Sequence, residues 1–309
     1  MKRKDFLKLS SAAAGLSLLP EALTAREAAP AARRSLRFAY LTDIHVKPGE
    51  VPEKGMAKAL QHVQKLRPKV DFIINGGDSI MDALAATAES TQTQWDLFNK
   101  ILKQENNLPV YPCIGNHDVY GWFQKNPDTS NPLYGKAWAV KALQMSERYY
   151  HFNKGKWDFI VLDSTQLNPA GGYIGKIDDE QLVWLKNKLA EIPSDHYISI
   201  ISHIPILSIC SGLFFNKNEP NGDLKIQRNL MHTDFLELKK LFRQYPNLKS
   251  CLSGHIHLQD ELRYLDISYY CNGAVSGAWW KGAYQEFQPA YAVFEYFNDG
   301  TCTREMVPY

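Results

Sequence analysis

The sequence predicts an α/β protein in which two sheets pack face to face with helices outside. From Ser35 onward, short apolar runs alternate with amphipathic stretches, and the chain closes on strand-rich segments with aromatic alternation. The third observation is bulk. With 309 residues, 45% hydrophobic and 22% charged, the chain has ample material for a sizeable core in one main domain.

Taken in order, Leu36 to Thr42 reads as a strand ending at Asp43-Ile44-His45, and Lys54 to Leu66 as a helix. Val70 to Asn75 is a second strand, ending at Gly76-Gly77-Asp78, and a helix follows through Trp95 to Leu102. The apolar run Pro109 to Ile114 is a third strand, which delivers Gly115-Asn116-His117-Asp118 to a sheet edge. Phe159 to Leu162 and Ile198 to Ser202 read as strands separated by the helix Asp178 to Leu189. A helix over Asp234 to Phe242 leads into the apolar run before Gly254, and Glu261 to Asn272 and Ala290 to Met306 supply the closing strands. No internal repeat or low-complexity linker interrupts this order.

The strand ends carry the chemistry. Asp43 and His45 lie two apart, as do His255 and His257, so on an extended backbone each pair points to one side. Asp78 ends the second strand, Asn116 follows the third, and His203 follows Ser202. Sites in α/β sheets gather at the carboxyl ends of strands, where all of these residues fall. Gly115 permits a tight turn with positive φ, Asn116 offers an amide oxygen to a hard cation, and His117 is the candidate acid. Carboxylate oxygens, imidazole nitrogens and one amide oxygen suit manganese, iron or zinc. Seven donors are too many for one tetrahedral ion but suit two ions with positions left open for water.

These residues resemble the calcineurin-like metallophosphoesterases. The matching motifs are Asp43-x-His45, Gly77-Asp78, Gly115-Asn116-His117-Asp118, Ser202-His203 and Gly254-His255-x-His257, in the family's order across Ser35 to Leu258. The resemblance implies a four-layer α/β/β/α sandwich of two mixed sheets flanked by helices. It also implies that Asp43, His45, Asp78 and His257 hold one metal while Asp78, Asn116, His203 and His255 hold the other, with Asp78 bridging. Two cations a few ångströms apart clamp a phosphate and lower the pKa of a water between them, so that hydroxide attacks phosphorus in line. His117 is placed to protonate the leaving oxygen, and Asp118 either fixes the His117 tautomer or is a purely structural carboxylate of the turn. The purple acid phosphatases of the family carry a tyrosine where this chain has Met81 and lack the histidine found here at His45, which argues against an iron-tyrosinate centre. The D-x-H form looks more like the cyclic-nucleotide phosphodiesterase and nucleotide-diphosphatase branches, a likeness that does not fix the substrate.

The expected activity is therefore hydrolysis of a small phosphoester, diesters ahead of monoesters, with two divalent or mixed-valence ions as cofactors. A non-catalytic interaction scaffold on the same fold is the alternative, and a metallo-amidase or peptidase a more distant one. Substrate choice is expected to lie in the insertions. Tyr120 to Leu143 carries Tyr120, Trp122, Phe123, Tyr134 and Trp138, and Pro205 to Asn229 follows His203. These aromatics, with Trp279 and Trp280, either stack a substrate ring or pack the loops onto the body. Asp163 also ends a strand and reads as a cap.

Residues 1–34 read as an export signal with a mature N-terminal extension, ahead of a catalytic domain over 35–309. A basic start, an apolar run from Phe6 to Leu19 and an alanine-rich stretch around Ala22 to Ala32 carry that reading. Arg3-Lys4-Asp5-Phe6-Leu7-Lys8 resembles a twin-arginine motif with lysine in the second position. The run is too short for a stable membrane anchor, and the protein is expected in the periplasm or outside the cell. The formal net charge is +2, and the first 25 residues supply that much themselves, four cations against two anions. The remainder is near neutral, so no nucleic-acid polymer is indicated as a partner. Five cysteines without close paired spacing imply no zinc knuckle or disulfide framework, only buried small side chains.

Overall fold

Alternation along the strands sorts the apolar side chains into three layers of core, and the architecture follows from that sorting. The computed structural model describes residues 32–214 and 219–309. The export signal expected over 1–34 lies, but for its last residues, outside them.

The first sheet is built from β1 (Arg34–Leu41), β2 (Phe72–Asn75) and β3 (Val110–Pro112). Between these strands run the helices α1 (Glu50–Lys65) and α2 (Ala88–Glu105), and a short α3 (Ala137–Ala142) follows. The second sheet begins with β4 (Tyr150–Lys154) and β5 (Trp157–Leu162). A small arm, β6 (Thr165–Leu167) with β7 (Tyr173–Gly175), then precedes α4 (Asp179–Glu191) and β8 (Tyr197–Ser202). After α5 (Cys210–Leu213) and α6 (Phe235–Phe242) come β9 (Leu248–Ser253), β10 (Gln259–Tyr264) and β11 (Ile267–Asn272). The chain then returns to the first sheet as β12 (Ala290–Phe297) and β13 (Cys302–Pro308). The orders are β13-β12-β1-β2-β3 and β10-β11-β9-β8-β5-β4. Both sheets are mixed: in the first, β1, β2 and β3 are mutually parallel and β12 runs antiparallel to its neighbours β1 and β13; in the second, β5, β8, β9 and β11 are mutually parallel, with β4 and β10 antiparallel at the edges.

In β1, Phe38 and Tyr40 point into the layer between the sheets, where they meet Phe159, Val161, Ile201 and Leu252. Ala39 and Leu41 point the other way, onto Met56, Leu60, Trp95 and Phe98 of α1 and α2. The second sheet repeats this arrangement, with Ile160, Ile198 and Ile200 packed on Leu185, Leu189, Leu238 and Phe242 of α4 and α6. The result is the expected α/β/β/α sandwich. Its middle layer is strongly aromatic; Phe38 lies 5.6 Å edge-on to Phe159 and 5.0 Å from Tyr296.

Two of the described helix starts carry a side-chain cap. Thr87 accepts the Ser90 N–H at the head of α2, and Asp178 accepts the Gln181 N–H at the head of α4. The cysteines behave as expected: all five are free, four are buried and Cys302 is half-buried. Asp163 caps its loop only in part, accepting the Thr165 N–H on Oδ1 at 3.4 Å. It is fully buried and takes Lys136 and Arg148, so it ties the Tyr120–Leu143 insertion to the end of β5. Within that insertion Tyr120 and Trp138 are buried against each other at 4.8 Å, packing the loop onto the body. Among the described residues, no helix is long and apolar enough to cross a membrane.

Candidate metal centre

Parallel pairing brings the carboxyl ends of β1, β2 and β3 together, and backbone bonds hold the turns beyond them in register. The Asp43 N–H donates to Gly77 O at 3.0 Å and the His45 N–H to Asp78 O at 2.9 Å. The second sheet is stitched to the first when the His255 N–H donates to Asp43 Oδ2 at 2.9 Å. All seven donors of the sequence analysis meet here, each at most 7% exposed. His117 is half-buried beside them.

The route to this convergence differs from an extended backbone. Asp43, His45, Asp78, His255 and His257 all have left-handed φ, between 48° and 72°. Bulky residues adopt that region at a cost, which here turns consecutive side chains into one focus. Gly115, by contrast, needs no positive φ. A Cβ on it would lie 2.1 Å from Asp78 Oδ1, so the glycine is there for close approach.

Three groups of side chains could hold a cation: Asp43, His45 and His257; His45, Asp78 and His117; and Asp78, His203 and His255. Asp78 belongs to two of them. Its Oδ2 lies 3.6 Å from His45 Nε2 and 3.3 Å from His203 Nε2, and Asn116 Oδ1 is 3.3 Å from that same His203 nitrogen.

Four of the imidazoles are oriented by main-chain carbonyls, while His45 Nδ1 has no partner among the described residues. His203 Nδ1 pairs with Gly76 O at 2.8 Å, His255 Nε2 with Asn229 O at 2.8 Å, His257 Nδ1 with Gly277 O at 2.5 Å, and His117 Nδ1 with Met81 O at 2.6 Å. Each ring that donates outward presents its other nitrogen inward as a lone pair. His45 Nε2 and His257 Nε2 then face each other at 3.1 Å, with Asp43 Oδ1 3.3 Å from the latter and in no well-directed hydrogen bond. Acceptors converging without donors repel unless a proton or a cation sits among them. A hard or borderline cation fits that donor set.

Without a cation, a proton on His203 takes its place among the carboxylates. Burial alone would raise the Asp43 carboxyl, but His257 and His203 outweigh it and hold it at about 2. Burial likewise opposes ionisation of Asp78, which the His203 and His117 charges drive well below the usual range. His203, lowered by burial, is lifted by Asp78 to about 9. Burial and the His203 charge push His255 down to about 4, and burial with the His117 charge lowers His45 well below its ordinary value.

Of the two readings of Asp118, the geometry favours the structural one. Its carboxylate accepts the N–H groups of Gly115 at 2.9 Å, Ser79 at 2.8 Å and Ile80 at 3.3 Å, and the Met81 carbonyl, not Asp118, fixes the His117 tautomer. Burial and the Asp78 charge lift it to about 7. It is the carboxylate that shapes the turn.

A Ser-His-Asp series also lies behind His203. Ser202 Oγ is 3.0 Å from His232 Nε2, and His232 Nδ1 is 2.9 Å from Asp234 Oδ1. Ser202 is 1% exposed and donates to the Ile204 carbonyl, so it anchors the strand end and offers no nucleophile to a substrate.

The sandwich and its assembled donor set define a metal-dependent phosphoesterase. The model of the calcineurin-like phosphoesterase family matches residues 36–259, and the chain belongs to that family. A 3′,5′-cyclic-nucleotide phosphodiesterase of Nostoc sp. is 25% identical over 288 residues, 89% of this chain and 93% of the relative. The 3′,5′-cyclic adenosine monophosphate phosphodiesterase CpdA of Escherichia coli is 27% identical over 151 residues, 49% of this chain and 45% of the relative. Among solved structures, a dimetal phosphatase from Danio rerio superposes with a TM-score of 0.61 at 12% identity, over 90% of this chain and all of that one.

The seven residues singled out in the sequence meet at one place, but the sequence carries no sign of the carbonyls of Gly76, Met81, Asn229 and Gly277 beside the imidazoles, since a carbonyl has no residue signature. It also left the two tryptophans unresolved. Trp280 packs against α1 and donates from Nε1 to His45 O at 3.0 Å, whereas the Trp279 ring lies 4.3 Å from His257, at the centre itself. The paired tryptophans between glycines were the only signal.

Proposed function

We propose that the chain is a dinuclear phosphodiesterase acting on small, nucleotide-like diesters, with phosphomonoesters as poorer substrates. In this reading Asp43, His45, Asp78 and His257 hold one ion and Asp78, Asn116, His203 and His255 the other, drawn from manganese, iron or zinc. The observation that carries it is Asp78 Oδ2, poised between His45 Nε2 at 3.6 Å and His203 Nε2 at 3.3 Å as a shared ligand would be. The phosphodiesterases among the relatives favour diesters.

Cations held in this way neutralise the phosphate and acidify an attacking water. The protein does the rest. Its main-chain carbonyls aim four of the imidazoles, and Asp118 holds the turn that carries Asn116 and His117. With Nδ1 committed to Met81 O, His117 has Nε2 free to deliver a proton to the leaving oxygen. The basic and apolar start of the chain further supports a place of action in the periplasm or outside the cell, which mass spectrometry of the mature N-terminus would test.

Elemental analysis of the purified protein combined with hydrolysis of bis(p-nitrophenyl) phosphate tests the main reading. Two metals per chain and metal-dependent release of nitrophenolate are expected. A protein that binds no metal and cleaves neither this diester nor p-nitrophenyl phosphate would return the scaffold reading.

A further inference from the structure

Two aromatic walls flank the donor cluster, and they belong to opposite ends of it. At one end the Trp279 ring lies 4.3 Å from His257 at 31° and 6.0 Å from His45, with Tyr284 edge-on to it at 5.5 Å. At the other, Tyr173 stands 6.1 Å from His255 and is backed at 6.0 Å by Phe123, which is 46% exposed.

Trp279 is held where it is by its neighbour. Trp279 and Trp280 are consecutive non-glycine residues with φ of 50° and 69°, a conformation bulky side chains avoid. Trp280 locks the turn: its indole donates to His45 O, and its ring fills the space over Gly55, where a Cβ would meet it at 2.0 Å. Trp279 is only half-buried, and its own indole N–H has no partner among the described residues.

His117 shows which wall serves which part of a substrate. Its ring is 4.7 Å from that of His45, the imidazole that Trp279 also approaches. A group leaving phosphorus must depart beside the acid that protonates it. Resting on the phosphodiester reading above, we infer that Trp279, closed off by Tyr284, is the leaving-group subsite and selects a leaving group that carries a planar aromatic ring, while Tyr173 and Phe123 receive the ester arm that stays on phosphorus. A diester fills both walls and a monoester only one.

Two substrates separate the walls in the metal-loaded full chain. Methyl p-nitrophenyl phosphate carries its one ring on the leaving group; bis(p-nitrophenyl) phosphate carries a second on the retained arm. Trp279→Leu is expected to raise KM about three- to tenfold for both, the range of a lost ring-ring contact, with two metals retained. Trp279→Phe should restore most of the loss. Phe123→Ala should raise KM for the bis-aryl ester more than for the methyl ester. Binding supplies a readout without turnover: methyl 4-nitrobenzylphosphonate, in which carbon replaces the aryl ester oxygen, should quench tryptophan fluorescence, and Trp279→Leu should remove most of that quench. Unchanged KM values, an undiminished quench, or loss of metal at constant KM in Trp279→Leu would overturn the inference, the last by making Trp279 a support for His257. If the unmutated protein cleaves neither diester, the phosphodiesterase reading itself falls and this inference with it.

Discussion

The same residue types meet twice in this molecule, with opposite results. At the carboxyl ends of the strands, Asp43, His45 and His257 leave Asp43 Oδ1 and His45 Nδ1 without hydrogen-bond partners among the described residues. Nearer the amino end of β5, Asp158 sits between two other histidines, and each of its oxygens has a donor: His151 Nε2 at 2.7 Å on Oδ1 and His196 Nδ1 at 2.7 Å on Oδ2. Asn153 adds a third bond at 3.1 Å. The second cluster is closed by its own hydrogen bonds, while the first leaves acceptors that a cation would complete. Composition does not separate a metal centre from a satisfied ion pair; the direction in which each donor and acceptor points does.

The strongest way to break that comparison is to remove Asp78. Its carboxylate is shared by two donor groups, so Asp78→Ala should strip metal from both halves and reduce diester hydrolysis by more than about 10⁴-fold, beyond the loss of a general acid alone. Metal content and turnover measured on the same preparation check this. Two metals retained per chain would show that Asp78 is not the shared ligand. His117→Ala sharpens the division between holding ions and moving protons. With Nδ1 on Met81 O and the ring half-buried, His117 is expected to cost about 10²- to 10⁴-fold in kcat when removed while both metals remain. Loss of metal in that variant would reassign His117 as a ligand.

Much of this was legible in the sequence because donors at strand ends keep their chemistry in the letters. Asp43, Asp78, Asn116 and His203 follow apolar runs, and parallel pairing carried them to one edge as such runs require. What failed was inference about backbone. The spacing of Asp43 to His45, and of His255 to His257, is that of one face of a strand, yet left-handed turns bring the side chains together. Such turns are chosen by tertiary bonds, such as the His45 N–H to Asp78 O, that local sequence does not encode. The edge strand β4 (Tyr150–Lys154) was missed because its half-buried sequence shows no apolar run. Asp163 was read only as a cap because its ion-pair partners Lys136 and Arg148 are distant in sequence.

Gly115 was found for the wrong reason, and that error suggests a milder test. If close approach is its role, Gly115→Ala must displace Asp78 Oδ1, which would sit 2.1 Å from the new methyl, and through it the His117 N–H that donates to that oxygen at 2.7 Å. Metal affinity should fall about 10- to 100-fold, the usual cost of disturbing a group that positions a ligand. A titration with zinc or manganese reads it, and unchanged affinity would show that the turn absorbs the methyl group.

The smallest effect on catalysis is expected at the closed cluster. Asp158 is buried and bonded on both oxygens, so Asp158→Ala leaves two half-exposed imidazoles and the Asn153 amide without their acceptor. Loss of these bonds should cost about 1–3 kcal/mol of stability. Because the donor set at the strand ends shares no residue with this cluster, metal content and kcat should stay close to those of the unmutated protein. Denaturant unfolding and elemental analysis of the same variant decide the matter. If Asp158→Ala sheds metal while its unfolding midpoint is unmoved, the two clusters are coupled, and the direction of hydrogen bonds is not enough to tell a structural pair from a metal centre.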